Sequence, residues 1–590
     1  MNGVSGTHTI RKADIYDLLG IGYGPAHLAL SISLRESAEV AETHFKYHFL
    51  EQRSHFAWHP SLLLPGSQLQ VSPLKDLVTL RDPTSTYSFY NYLHSHGRLA
   101  RYINKEQGVP SRREWTSYLA WAARRMNEAV SYGQNVVSID AFTIATGAEE
   151  GKQDSVALRP TGEEDALCLY RVRTRDDATG ETVTRYARNI SVAVGGVPRL
   201  PPAFDAAWAA QTSQKEVKRI VHSGFYLPSL QTLEPVLHET AACRGNENRL
   251  HLAVIGAGQS STEMLMNLHA RFPTAVVTMI FRASALVPSD DTGFINSAAF
   301  DPERTDEFWA ANEAQRRRWL VEFKRTNYSV VRTDLLNELH DTMYDKYEVS
   351  LPEELQDPSE REAGRMEMRR CTDVDEVTLV QDGVELVLRD NLKNGRLETI
   401  KFDAVFVGTG FIRSPAKMPF LDGLKPFYPA LEDGWTARDT LSAEAEVAAS
   451  IDTEDEEVIE RKRENLRGIT RDYRLVPGVA MRTTPRSGKS SPGSETSSTS
   501  SQQTLATEGA TKPEASLYVL GGNEATHGLS DSLLSIVAHR AGELTTSLLH
   551  RLPRSRRGVE SEQRTEAHRT TGANEVGQKL AALSGLGVNA

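Results

Sequence analysis

The residues best placed to do chemistry are glycines rather than nucleophiles. Leu18–Leu30 reads LLGIGYGPAHLAL: an apolar run ends at Gly22, Gly24 and Pro25 follow, and an Ala/Leu-rich run starts at once. A strand, a tight glycine turn and a helix start, in that order, bring backbone N–H groups and a helix N-terminus to a pyrophosphate. The pattern returns where HLAVI at 251–255 leads into Gly256, Gly258 and Ser260 and then an apolar stretch. Two such units predict two dinucleotide sites, as in a flavoenzyme reduced by a nicotinamide cofactor.

The elements around these turns refine the expectation. Lys46–Leu50 reads as a second strand ending at Glu51, which could hold an adenosine ribose or be a solvated strand terminus. In the later unit, Val276–Phe281 ends at Arg282. A carboxylate there would suit NAD, whereas a cation suits the 2′-phosphate of NADP, so NADPH is the expected reductant. The runs Ile190–Val194 and Phe402–Val407 end in Gly195-Gly196 and in Gly408-Thr409-Gly410. Glycines at strand ends allow close passage of the backbone beside a ligand or between domains. The first run is expected to lead out of the flavin domain and the second back into it.

Two irregular stretches carry the polar candidates. Leu62–Ser85 mixes prolines and polar groups without a period and holds Lys75, which could pair with a substrate carboxylate or with Asp76 or Asp82. Ser289–Tyr328 holds Asn296 and Asn327, interrupted by helix around Trp309, Arg317 and Trp319. Either asparagine could orient a zwitterion, and the residues alone favour turn formation. Ser111 and Glu114 have capping-box spacing ahead of an apolar face, with Trp115 and Trp121 as packing residues. Leu517–Leu520 leads through Gly521–Asp531 to an apolar helix from Leu533 to Val537.

Composition narrows the class. A chain of 590 residues suggests two to four domains, and 39% hydrophobic with 25% charged residues is ordinary for a soluble protein. The net charge of −11 argues against general nucleic-acid affinity. No run is long and apolar enough to span a bilayer, and the N-terminus lacks the apolar core of a secretory signal, so a cytoplasmic enzyme is expected. The three cysteines, Cys168, Cys243 and Cys371, form no CxxC pair, so a disulfide scaffold, a thiol-redox centre and a metal site all lose support. Between Thr483 and Thr504, thirteen residues are Ser or Thr, which reads as a disordered insertion.

Taken together, GYGPAHLAL (22–30), FAWHP (56–60), LQVSPLKDLVTLRDPTSTYSFYNYL (69–93), GAGQSSTE (256–263), TNYSVV (326–331) and NEATHGLSDSLLS (523–535) resemble the fungal and bacterial L-ornithine N5-monooxygenases of hydroxamate siderophore biosynthesis. The resemblance covers most of residues 13–550 outside the Ser/Thr-rich insertion. Two departures are VGTGF at 407–411, where the family more often has ATGY, and Pro60, where a glycine is common.

The resemblance implies an α/β fold of two Rossmann-like dinucleotide-binding domains, an FAD domain interrupted by an NADPH domain, plus a small, mainly helical substrate region. The implied division is 13–215 for the first part of the FAD domain and 216–400 for the NADPH domain with substrate-contacting segments. It continues with 401–482 for the FAD-domain return, 483–514 for the insertion, 515–550 for a C-terminal FAD/substrate segment and 551–590 for a flexible tail. Lys75 is expected to hold the substrate α-carboxylate, Asn296 and Asn327 to position the amino acid, and Ser530 to shape the amine end. Trp58, His59, Gln70 and Leu529 would join Gly22, Gly24, Pro25 and Glu51 beside FAD. Gln259, Ser260 and Arg282 would join Gly256 and Gly258 at NADP, with Gly408 and Gly410 also beside cofactor. The implied reaction is NADPH- and O2-dependent hydroxylation of L-ornithine to N5-hydroxy-L-ornithine through a C4a-hydroperoxyflavin, with no side-chain nucleophile, in a homotetramer. The alternatives are an L-lysine N6-hydroxylase and a catalytically silent flavin-binding interaction protein.

Overall fold

A computed structural model describes residues 8–106, 108–144, 155–162, 167–213, 217–244, 249–349, 364–433, 455–478, 515–552 and 556. The Ser/Thr-rich insertion and nearly all of the C-terminal tail lie outside the described residues. The architecture is α/β, as expected, and rests on two sheets with parallel strands.

The first sheet has nine strands. Its parallel part sets Ser516–Val519, Thr182–Val192, Ile15–Ile21, Tyr47–Leu50 and Val130–Ser131 side by side. Ile15–Ile21 is almost wholly buried, as a strand covered on both faces must be, which is why it reads as a continuous apolar run. It feeds the helix Pro25–Glu36, which has Gly24 as N-cap and Pro25 in the first turn, where a missing N–H costs nothing. That helix buries His27 through Leu34 and meets Val537–His550, where the Ser33 and Thr545 hydroxyls share a hydrogen bond at 2.8 Å. On the other side the long strand Thr182–Val192 continues into antiparallel neighbours Leu169–Asp176 and Gln134–Ile144.

The second sheet has five parallel strands in the order Ile220–His222, Ala404–Val407, His251–Ile255, Val276–Ile280 and Arg365–Arg369. A separate antiparallel sheet of three strands, Thr372–Val380, Gly383–Asp390 and Arg396–Phe402, precedes its return strand. Within the run 402–407, Ala404–Val407 is an interior strand of the five-stranded sheet, and the chain leaves that sheet after it. The two crossings meet each other: Phe411–Ile412 pairs antiparallel with Val197–Pro198.

Two other local expectations change. Most of Ser289–Tyr328 is helical, in Gly293–Ala299, Arg304–Ala310 and Glu313–Asn327, because the apolar residues recur at helical spacing and Asn312 caps the longest helix on Gln315 N. The helix expected over 533–537 instead starts at Val537, after a tight 3-10 turn at Leu529–Ser532. Ser111 caps Arg112–Arg125 as predicted, but the Glu114 carboxylate turns to Arg98 at 3.0 Å. Trp115 is buried in the core beside the first sheet, with Trp121 packed against it.

Asp403 joins strand to strand in the second sheet. Its carboxylate is almost fully buried, accepts a forked pair from Arg244 at 2.7 and 3.0 Å and accepts from His251 N at 2.8 Å. Asp403→Ala is expected to destabilise the five-stranded sheet by about 2 kcal/mol, since it strands a partly buried guanidinium and a backbone donor. Urea unfolding followed by far-UV dichroism should show a loss of signal at lower urea than in the wild type; an unchanged midpoint would contradict the anchoring role.

Candidate active site

At the first turn, Gly22 has φ +82°, and a Cβ there would lie 2.7 Å from the Ala193 carbonyl oxygen. Only glycine combines that conformation with that approach. Gly24 faces open space, with nothing within 4 Å of a notional Cβ, and no side chain caps the helix start that follows. The first turn of Pro25–Glu36 thus has no side-chain cap and an uncrowded glycine before it, the arrangement an anion site at a helix start requires. Glu51 stands at the end of its strand beside this turn, accepting from Tyr23 N at 2.7 Å and from Arg53 N at 2.9 Å. It is thus part of the turn rather than a free strand end.

His27 was not singled out by sequence reasoning, although a histidine in the first turns of a buried apolar helix is the signal. Its Nδ1–H donates to the Gly22 carbonyl at 2.6 Å, so the neutral ring accepts at Nε2 from the Ser191 hydroxyl at 2.8 Å. Burial pushes its pKa down to about 4, and the charge of Arg540 works in the same direction. The ring packs against Phe49 and holds the Gly22 turn to the strand Thr182–Val192 through Ser191.

The flavin-side candidates line up along one loop. Trp58 is half-buried against the flavin-side core and meets the exposed His59 edge-on at 4.9 Å. His59 adopts φ +43° ahead of Pro60, an uncommon backbone for a residue preceding proline. Gln70 Nε2 is buried without a hydrogen-bond partner. An orphaned buried amide donor, an open glycine turn and an adjacent carboxylate fit a bound dinucleotide with hydrogen-bond acceptors.

The second turn repeats the first. Gly256 has φ +122°, and its notional Cβ would lie 2.7 Å from the Gly408 carbonyl oxygen. Gly258 is the N-cap of Gln259–Arg271, again with no side-chain cap, and lies against Ser329. Gln259 and Ser260 occupy the first turn of that helix, half-buried. Arg282 is exposed just past Val276–Ile280. Gly410, at φ +81°, accepts through its carbonyl from His222 Nε2–H at 3.0 Å.

Lys75 is the cation of the long loop, and neither nearby aspartate takes it. Asp76 is buried and accepts from the backbone of Val78, Thr79 and Phe89, while Asp82 accepts from Thr84. The Lys75 Nζ instead donates to Asn296 Oδ1 at 3.3 Å, across 221 residues of sequence. Burial pushes its pKa down and Asp301 pulls it back up. Asn296 sits in Gly293–Ala299, its amide donating to the carbonyls of Asp291 and Thr292, so the turn reading is replaced by a helix. Asn327 likewise ends a helix, with its Nδ2 donating to Thr326 Oγ1 at 3.2 Å. The strand of loop leading to Asn296 runs beside it, with Asp290 N donating to Thr326 O.

Leu529 and Ser530 are buried in the turn Leu529–Ser532. They line a cavity of about 180 Å3 with Ala298, Ala299, Phe308 and Trp319, so Ser530 lies next to the C-terminal end of the helix that carries Asn296. Tyr328 and Lys324 both bond Glu524, linking the Asn327 helix end to the Ser530 segment. The structure therefore joins Lys75 and Asn296 directly and brings Asn327 and Ser530 to flanking elements. Among the described residues no group of three or more His, Cys, Asp or Glu side chains is arranged to hold a metal ion. No helix among them is long and apolar enough to cross a membrane.

Residues 14–413 match the family model described as L-lysine 6-monooxygenase/L-ornithine 5-monooxygenase. The chain belongs to this family of flavin-dependent N-monooxygenases. An L-ornithine N(5)-monooxygenase of Mycosarcoma maydis is 70% identical over 100% of this chain and 96% of its own length. An ornithine hydroxylase structure from Pseudomonas aeruginosa superposes with TM-score 0.66 at 30% identity, covering 91% of this chain and 99% of that one. The ornithine N-hydroxylase of Kutzneria sp. 744, described with reduced FAD, NADP+ and L-ornithine, gives TM-score 0.65 at 26% identity, with coverage of 91% and 99%. In this N-monooxygenase the glycine turns, the Lys75 loop and the Asn296 helix all fall within the matched span.

The His27 geometry has a pH consequence. Its pKa is held below the ordinary value of 6.5, so the unfolded chain binds more protons than the folded one between pH 6.5 and about 4. The stabilisation is present above pH 6.5 and is lost as pH falls through that window, at roughly 1 kcal/mol per pH unit. His27→Asn should flatten this dependence: the stability difference from wild type, by urea unfolding at pH 7 and pH 5, should shrink at the lower pH. A difference independent of pH would contradict the neutral-ring assignment.

Proposed function

We propose that this chain is an L-ornithine N5-monooxygenase, hydroxylating the side-chain amine with NADPH and O2 as the first step of hydroxamate siderophore biosynthesis. The observation that carries the reading is Lys75 reaching Asn296 at 3.3 Å, a cation and an amide offered together, in a chain that also holds two open glycine turns and is 70% identical to an ornithine enzyme.

FAD would lie along Gly22, Gly24 and Pro25, with Glu51 at the ribose and Trp58, His59, Gln70 and Leu529 around the remainder. NADPH would lie along Gly256, Gly258, Gln259 and Ser260, beside Gly408 and Gly410, with the exposed Arg282 suited to a 2′-phosphate. FAD, when bound and reduced by NADPH, would supply the activation of O2, one atom of which goes to the amine and the other to water. The chain's own work is positioning. Lys75 would pair with the α-carboxylate of ornithine, and the Asn296 and Asn327 amides would hold the α-amino end. Ser530 would limit the amine end, so that the neutral nitrogen is held close and water that would release hydrogen peroxide is kept out. The products are N5-hydroxy-L-ornithine, NADP+ and water. One additional methylene is worth only a few kcal/mol of discrimination, so lysine is the informative competitor.

The test is NADPH oxidation measured together with hydroxylated product on purified, FAD-loaded protein, with ornithine and lysine in parallel. Product equal to NADPH consumed for ornithine alone is expected. Hydrogen peroxide as the sole product with both amino acids would remove the substrate assignment. Lys75→Ala should raise the ornithine KM by about 100-fold while FAD stays bound, the loss of one charge-assisted contact. Arg282→Ala should raise the KM for NADPH at least about tenfold more than that for NADH.

A further inference from the structure

The two nucleotide-binding halves are joined by a hydrogen-bonded circuit that the proposed function does not use. Arg112 opens the flavin-side helix Arg112–Arg125, and its Nη1 donates to Glu263 Oε2 in the second glycine-turn helix at 2.7 Å. The Glu263 side chain is 6% exposed, and its other oxygen accepts from Gln259 Nε2 at 2.8 Å. Gln259 Oε1 accepts from Arg332 N at 2.9 Å, and Gln259 N donates to the Val330 carbonyl at 2.9 Å. Arg332 closes the circuit by donating from Nη1 to the Leu69 carbonyl at 2.7 Å, one residue before Gln70. Leu69 N in turn donates to the Pro110 carbonyl and Arg112 N to the Ser67 carbonyl, which returns the circuit to its start.

Two features separate this circuit from ordinary surface pairing. Both oxygens of a nearly buried carboxylate are committed, so the pair has one geometry rather than many. It also acts on the first turn of Gln259–Arg271, which has no side-chain cap and in which Gln259 N is held by the Val330 carbonyl while Ser260 follows at the place proposed for the nicotinamide nucleotide. A displacement of about 1 Å there would move the cofactor relative to the flavin loop, and errors of that size cost catalytic geometry severely.

We infer that Arg112 and Glu263 are positioning residues that register the nicotinamide-nucleotide helix against the flavin-side loop. The pair sets how tightly NADP+ is retained and how much activated oxygen reaches the amine. The inference rests on the proposed function, but its primary readout is a binding measurement that needs no substrate turnover.

The experiment uses full-length, FAD-loaded protein in four forms: wild type, Arg112→Ala, Glu263→Gln and the double variant, with Arg112→Lys as the conservative control. NADP+ affinity is measured by titration calorimetry without ornithine, and hydroxylated product per NADPH is measured separately. Each single variant should weaken NADP+ about 5- to 20-fold, the range of an ordinary coupling between sites. Product per NADPH should fall while FAD content and ornithine KM hold. Arg112→Ala, which strands the Glu263 carboxylate, lowers the melting temperature, whereas Glu263→Gln, which keeps an amide oxygen for Arg112, leaves it near wild type, so the shared loss of NADP+ affinity does not follow melting. Arg112→Lys should recover most of the loss. The double variant should be no worse than the weaker single, because both remove the same interaction. Unchanged NADP+ affinity, fully additive losses, or a loss that tracks FAD content and melting would each overturn the inference. Absence of hydroxylated product from the wild type would overturn the functional reading instead and leave the NADP+ titrations interpretable.

Discussion

Both nucleotide turns depend on one steric constraint: a glycine at positive φ pressed against a carbonyl at the end of the neighbouring parallel strand. Gly22 meets Ala193 in this way and Gly256 meets Gly408, with 2.7 Å between notional Cβ and carbonyl oxygen in both cases. A side chain at either position would force the turn away from the adjacent strand and close the space in front of the helix N-terminus. The twice-used contact explains why the chain carries its chemistry in glycines. It needs the backbone itself to approach a ligand, and oxidoreduction belongs to what the backbone holds.

The surrounding polar groups serve that constraint. His27 ties the Gly22 carbonyl to Ser191 with a neutral ring, and Ser261 reaches the Gly408 carbonyl at 3.2 Å beside the second turn. Asp403 anchors the start of the strand Ala404–Val407, which leads directly into Gly408. The Phe411–Ile412 pairing with Val197–Pro198 brings the outgoing and returning crossings together, so the two sheets are linked at adjacent points. On that frame, the loop bearing Lys75 and the helix bearing Asn296 can meet although they belong to distant parts of the chain.

Lys75 illustrates how charge placement decides what a loop residue does. Its sequence neighbour Asp76 is the obvious partner, yet three backbone N–H groups claim that buried carboxylate. The ammonium is left to an amide, a partner that does not neutralise it, and so retains its attraction for a carboxylate. Burial lowers its pKa, with Asp301 opposing, which keeps the site's balance sensitive to nearby charge.

The glycine turns, their helix starts, the Ser111 cap and the buried tryptophans were legible in the sequence, because each is set within a few residues by φ, capping or apolar period. Glu51 and Arg282 were legible as strand-end residues for the same local reason. Only the tertiary structure placed Ala404–Val407 inside the second sheet, since strand pairing depends on neighbours far along the chain and not on the strand's own composition. Only it put Asn296 and Asn327 on helices, joined Lys75 to Asn296, left Gln70 unpartnered and closed the Arg112–Glu263 circuit. Those outcomes are decided by which partners burial brings within hydrogen-bond reach. That quantity has no local signature in sequence.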